Sequence, residues 1–172
     1  TSTSDTCVLL ANGLAGGVDR DAFRKALTMG SLRMTEMLAR DGEGATKLLR
    51  ATVRGAKSTA EARRIAKSVV NSPLVKTMVH GADPNVGRVL MAVGKCIECT
   101  LRPEATDAWI NGQKVVQGGR RTTFDEATVR AALGTDTTDI VIALGVGDAE
   151  ATAFGCDLSA GYIAENAAYY SS

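Results

Sequence analysis

With 172 residues, 45% of them hydrophobic and 23% charged, the chain has the length and composition of one globular domain, or one subunit of a larger assembly, with room for a real core. Its 20 basic and 19 acidic residues leave a formal net charge of +1, so the charge balance gives no reason to expect nucleic acid or an anionic membrane surface as a partner. No apolar run approaches the roughly 20 residues that cross a bilayer, and the chain does not open on a signal-peptide pattern, so the expectation is a cytoplasmic protein with small, neutral or zwitterionic partners.

Thr1-Ser-Thr-Ser-Asp-Thr6 sets hydroxyls and one carboxylate ahead of the apolar run Cys7 to Ala11, which closes on Asn12-Gly13. Such side-chain oxygens suit a helix start and Asn-Gly its end, with a buried strand as the competing reading of so short a run. From Asp19 to Arg40, Phe23, Ala26, Leu27, Gly30, Met34, Met37 and Leu38 recur at helical spacing, which predicts one amphipathic helix with its apolar stripe in the core. Asp41-Gly-Glu-Gly-Ala-Thr-Lys47 follows. Its glycines end the helix and leave the Glu43 carboxylate at a turn that another molecule can approach closely, although spacing alone favours a solvated cap.

Leu49, Ala51 and Val53 alternate with Arg50, Thr52 and Arg54 at the period of a half-buried strand. Ser58-Thr-Ala-Glu61 has the reciprocal capping-box spacing and opens a helix with Ala62, Ile65, Ala66, Val69 and Val70 as its stripe. Asn71-Ser-Pro73 ends it. Leu74 to Val79 predicts a short buried strand, His80 to Asn85 the turn that leaves it, and Gly87 to Gly94 another helix with Asn85 as its cap. With no second histidine or nucleophile beside it, His80 reads as a structural histidine bonded to turn backbone. Cys96-Ile-Glu-Cys99 has the spacing of a metal or redox pair, but Cys7, Cys156 and His80 are too isolated to complete a zinc site, and neither metal nor cofactor is expected.

Asn111-Gly112, between Ala108–Ile110 and Gln113–Gln117, is a hairpin signal. Thr123-Phe-Asp-Glu126 is a second capping box, for a short helix that stops at Gly134. Asp139 to Leu144 and Glu150 to Phe154 read as strands around a Gly145-Val-Gly-Asp148 hairpin turn, since a dinucleotide loop needs a third glycine and a following helix. Asp157 or Ser159 caps a closing helix from Gly161 to Tyr170. Residues 1–172 thus read as a single α+β domain.

Several blocks together resemble the ornithine acetyltransferase (ArgJ) family: Asp41-Gly-Glu-Gly-Ala-Thr-Lys47, Asn71-Ser-Pro-Leu-Val-Lys-Thr77, Gly81-Ala-Asp-Pro-Asn85 with Gly87-Arg88, and Gly155-Cys-Asp-Leu158 leading to Asn166-Ala167. The opening Thr1 to Thr6 and Ala11-Asn-Gly13 belong to the same pattern, so the resemblance covers essentially the whole chain. It implies the αββα layered fold related to N-terminal-nucleophile hydrolases, and a precursor that cuts itself into two subunits assembled as α2β2. It also implies acetyl transfer from N-acetylornithine to glutamate through an acetyl-threonine, giving ornithine and N-acetylglutamate, with acetyl-CoA as a donor in some members.

By the same resemblance, Glu43 matches a substrate-contacting glutamate, Asn166 an asparagine near the C-terminus, and Ser171 a terminal hydroxyl residue. Such groups suit an amino acid, whose ammonium takes a carboxylate and whose carboxylate takes amide and hydroxyl donors. The tail departs from the family in ending Ser171-Ser172, and counting from the terminus selects Ser172. Val86 stands where the family commonly has tryptophan. Thr1 aligns with a block downstream of the family's nucleophile, so the catalytic threonine is expected upstream of this chain, although Thr1 imitates one chemically. The competing functions are an amidohydrolase or aminopeptidase of related fold and a non-catalytic binding or assembly subunit.

Overall fold

The computed structural model describes residues 6–168, with a boundary between two compact units after Met34. In chain order the helices are α1 (Arg20–Arg40), α2 (Thr59–Val70), α3 (Pro73–His80), α4 (Val86–Gly94), α5 (Glu126–Leu133) and α6 (Ala160–Ala167). The strands are β1 (Leu48–Ala56), β2 (Asp107–Ile110), β3 (Gln113–Gln117), β4 (Arg120–Arg121), β5 (Thr137–Ala143) and β6 (Ala149–Cys156).

In the first unit Asn12 Oδ1 accepts from the Leu14 amide, and Asp19 Oδ1 accepts from the Asp21 and Ala22 amides to cap the start of α1. Cys7 to Ala11 is neither helix nor strand. The stripe of α1 corrects its expectation: no residue of the helix is buried, and Phe23 is 48% and Leu38 65% exposed. Periodicity marks an apolar face; it does not say what covers that face.

The second unit is organised by the two-residue period of β1. Ala51 and Val53 point into the core, while Arg50, Thr52 and Arg54 point the other way. β5 runs parallel to β1 and β6 antiparallel on its other side, and β2, β3 and β4 extend the sheet past β5 in the order β4-β3-β2-β5-β1-β6. Ile140 and Ile142 lie beside Ala51 and Val53 in this register. α2 covers β1 and β6 with the predicted stripe, Ala62, Ile65, Ala66, Val69 and Val70, all buried. α5 lies against β2 and β5 through Val129 and Leu133, and α3 and α4 pack on α2. The opposite face of the sheet is half-exposed and polar: Arg50 grips its register partner Asp139 through two hydrogen bonds of 2.5 and 2.8 Å. This is the α+β layered architecture expected.

The Asn111-Gly112 hairpin forms with φ of 44° and 80°, the left-handed pair of a type I′ turn. Elsewhere tertiary partners displaced local readings. Leu74 to Val79 is helical, not a strand, because Pro73 occupies its first turn and Ser72 Oγ accepts from the Val75 amide at 3.4 Å. Ser58 caps α2 as predicted, but the Glu61 carboxylate accepts from the Thr100 amide and hydroxyl instead of closing the box. Asp125, not Thr123, caps α5. The Gly145 to Asp148 segment does not close a hairpin, since β1 lies between β5 and β6; it crosses the end of β1 with the Val146 and Gly147 amides on the Gly55 carbonyl.

Because Ile142 is fully buried on the central parallel pair, Ile142→Ala is expected to lower stability in urea denaturation by about 2–5 kcal/mol. Val141→Ala, on the half-exposed face, is expected to cost clearly less; equal losses would contradict the assignment of the core face.

Candidate functional site

β6 ends at Cys156, and the next side chain is a carboxylate with no solvent exposure. Asp157 Oδ1 accepts from the Thr46 and Lys47 amides at 2.8 and 3.0 Å. Its Oδ2 accepts from the Thr46 hydroxyl at 2.6 Å and lies 2.8 Å from His80 Nδ1. Burial is the largest influence on this group and pushes its pKa upward; the Thr46 hydroxyl and amide, His80 and the Lys47 amide together outweigh it and hold the carboxyl below its ordinary value. The segment entering β1, the end of α3 and the end of β6 therefore meet on one buried charge.

Lys47 extends the junction. Its Nζ donates to the carbonyls of Val79 (2.8 Å) and Leu133 (2.7 Å), with His80 O at 3.3 Å. These are carbonyls at the C-terminal ends of α3 and α5, which the helices themselves leave unpaired and where a cation is favoured. The partner of the His80 ring is the buried carboxylate and not the turn backbone expected.

The preceding turn is locked by close approach. Ala45 N donates to Gly42 O at 2.8 Å, and Ser159, the cap of α6, donates its hydroxyl to Gly44 O while accepting from the Tyr162 amide. Gly44 has φ +70°, and a Cβ there would lie 2.4 Å from the Gly161 carbonyl carbon. A Cβ on Gly42 would lie 2.9 Å from Cys156 Sγ. Both glycines are thus demanded by packing against β6 and α6, beyond any helix-ending role.

Glu43 stands exposed between them, and among the described residues it makes no hydrogen bond or ion pair. Asn166 is exposed on α6, where its Nδ2 donates to the Tyr162 carbonyl at 2.8 Å. The structure joins the turn of Glu43 to the helix of Asn166, and the two side chains do not bond each other. Ser171, Ser172 and Thr1 lie outside the described residues. Lys76 also belongs to this neighbourhood: its Nζ is 3.6 Å from Cys156 Sγ and 5.4 Å from the centre of the Tyr162 ring.

Sequence reasoning missed Asp157, Lys47 and Lys76. Asp157 was visible only as an alternative helix cap, because its partners stand 77 to 111 positions away. Among the described residues no group of three or more histidine, cysteine or acidic side chains is placed to hold a metal ion. Cys96 and Cys99 are buried in a turn closed by Cys99 N on Cys96 O, and burial pushes the Cys99 thiol up. No described helix is long and apolar enough to cross a membrane.

The ArgJ family model matches residues 1–171. The chain is 45% identical over 174 residues to glutamate N-acetyltransferase Oat2 of Streptomyces clavuligerus, covering 98% of this chain and 44% of that protein. It is 46% identical over 171 residues to the arginine biosynthesis bifunctional protein ArgJ of Rhodococcoides fascians, covering 98% and 42%. The chain therefore spans less than half the length of these relatives. Among solved structures, the arginine biosynthesis bifunctional protein argJ from Bacillus halodurans superposes with a TM-score of 0.91 at 37% identity, over 98% of this chain and 83% of that one.

Because the folded Asp157 carboxyl titrates below its ordinary value of 3.8, its stabilising contribution is complete above that pH and is lost as pH falls through the lowered folded value. Asp157→Asn is expected to be less stable at neutral pH by about 1–3 kcal/mol, since it sets a side-chain amide against donors that need an acceptor. Its stability is also expected to fall less steeply in acid than that of the wild type. Identical acid limbs in pH-dependent denaturation would show that Asp157 is not the keystone of this junction.

Proposed function

The chain belongs to the ArgJ family, and from that premise we propose that it is the C-terminal portion of a glutamate N-acetyltransferase in amino-acid biosynthesis. In this reading a threonine Oγ attacks the acetyl carbonyl of N-acetylornithine, the amide C–N bond breaks, and ornithine leaves with the proton on its amine. The glutamate amine then attacks the acetyl ester, the C–O bond to threonine breaks, and N-acetylglutamate leaves. A covalent intermediate divides one difficult amide exchange into two easier steps.

The observation that carries the proposal is the position of Glu43: an exposed carboxylate without a partner among the described residues, on a turn held from both sides by β6 and α6. A fixed carboxylate of this kind suits an amino-acid ammonium, and Asn166 on the adjoining helix offers an amide to the same ligand. Ser171 completes the proposed substrate contacts. The acetyl-carrying threonine and the donors that stabilise its oxyanion belong, in this reading, to the remainder of a cytoplasmic enzyme assembled with a companion chain of the same precursor as α2β2. No cofactor enters it.

The test is to incubate the complete enzyme with acetyl-labelled N-acetylornithine and glutamate. Label is expected in N-acetylglutamate. Release of free acetate without an acceptor would establish a hydrolase, and absence of any transfer would remove the enzyme reading. Within the active enzyme, Glu43→Gln is expected to raise KM for the amino-acid substrate by roughly tenfold or more, the scale of one charge-assisted hydrogen bond, without changing the melting temperature. Unchanged kinetics would leave Glu43 a solvated turn residue.

A further inference from the structure

We propose that Lys76 is the carboxylate-binding residue of this site, the cationic counterpart of Glu43; the assignment rests on the amino-acid reading above. Most of the second unit's buried or half-buried cations have evident partners. Lys47 donates to three carbonyls, Lys114 sits 2.8 Å from Asp107, and Arg50 is gripped by Asp139. Lys76 differs. The residue is half-buried, and among the described residues its Nζ has a thiol at 3.6 Å and an aromatic face at 5.4 Å, with no carboxylate within ion-pair distance.

A thiol and an aromatic ring are weaker partners for a cation than a carboxylate. An ammonium held in place without a carboxylate is open to one supplied by a ligand. Its neighbours also identify the site to which it belongs. Cys156 Sγ is the atom that leaves no room for a Cβ on Gly42, and the Tyr162 amide is among the atoms that leave none on Gly44. Lys76 thus reaches, from α3, Cys156 Sγ and the ring of Tyr162, the two residues whose sulfur and backbone amide the Glu43 turn is packed against. Tyr162 also carries on its carbonyl the Asn166 amide.

The ammonium is held at its base as well. The Lys76 amide donates to Ser72 O at 2.9 Å, and its carbonyl accepts from the Leu158 amide at 3.3 Å, one residue past the buried Asp157. Among the described residues, an anion without an ion-pair partner on the turn and a cation without one that shares that turn's packing neighbours make a pattern for a ligand with one charge of each sign. N-acetylornithine, with its side-chain ammonium and its carboxylate, is such a ligand, and so is the backbone of glutamate. Glu43 selects the ammonium and Lys76 the carboxylate.

The experiment titrates the complete enzyme, its proposed nucleophilic threonine replaced by alanine so that no acetyl is transferred, calorimetrically with N-acetylornithine and with its α-carboxamide, for otherwise wild-type protein, Lys76→Met and Lys76→Arg. Wild type is expected to prefer the acid by roughly 10- to 100-fold, the range of a charge-assisted hydrogen bond. Lys76→Met is expected to bring the acid-to-amide ratio near one, and Lys76→Arg to retain most of it. A purely structural lysine would weaken both ligands equally, so a ratio preserved in Lys76→Met overturns the assignment while leaving the substrate reading intact. If wild type binds neither ligand, the substrate reading itself falls, and this assignment with it. Should Lys76→Met fail to fold by circular dichroism, Lys76→Gln is titrated in its place and judged by the same ratio.

Discussion

One buried carboxylate sets the geometry on which the candidate site depends. Asp157 has no contact with solvent, and desolvation of such a charge is offset only because every donor around it is aimed at its two oxygens. Those donors come from the segment entering β1 and from the end of α3, so a single residue after β6 joins three separate parts of the chain. Lys47 complements it with the opposite charge, gathering the terminal carbonyls of α3 and α5. Anion and cation are adjacent through the Lys47 backbone, and each satisfies groups that regular secondary structure leaves unpaired.

From that junction the position of Glu43 follows. Residues 46 and 47 are fixed by Asp157, and Gly42 and Gly44 are fixed by contacts that admit no side chain. The one residue between the glycines has nowhere to go but outward. Preorganisation of this kind keeps a carboxylate available to a ligand without the loss of conformational freedom that a mobile loop suffers on binding. α6 rests on the same turn through Ser159 and Gly161, which sets Asn166 on the adjoining element.

Much of the frame was legible in the amino-acid order because its causes are local. The alternation of β1, the stripe of α2, the Asn-Gly turn and the serine caps of α2 and α6 each express a rule acting over a few residues. What could not be read depends on partners far along the chain. The run from Leu74 to Val79 has no period of its own, and the Ser-Pro pair read as a stop is the start of α3. Gly145 to Asp148 passes for a hairpin turn until β1 is found between β5 and β6. Glu43 stood out from its flanking glycines and took its substrate role, as Asn166 did, from family resemblance, whereas Asp157 and Lys76 acquire meaning only from neighbours far along the sequence.

The proposed occupant of the Glu43 turn, the α6 face and the Lys76 ammonium is a single amino-acid ligand. A crystal structure of the complete protein with N-acetylornithine, the proposed substrate, bound and the proposed nucleophilic threonine replaced tests this most directly. The ligand ammonium is predicted on Glu43 and its carboxylate on Lys76, with Asp157 still bonded to Thr46, Lys47 and His80. A ligand bound in contact with neither the turn nor α6 would contradict it.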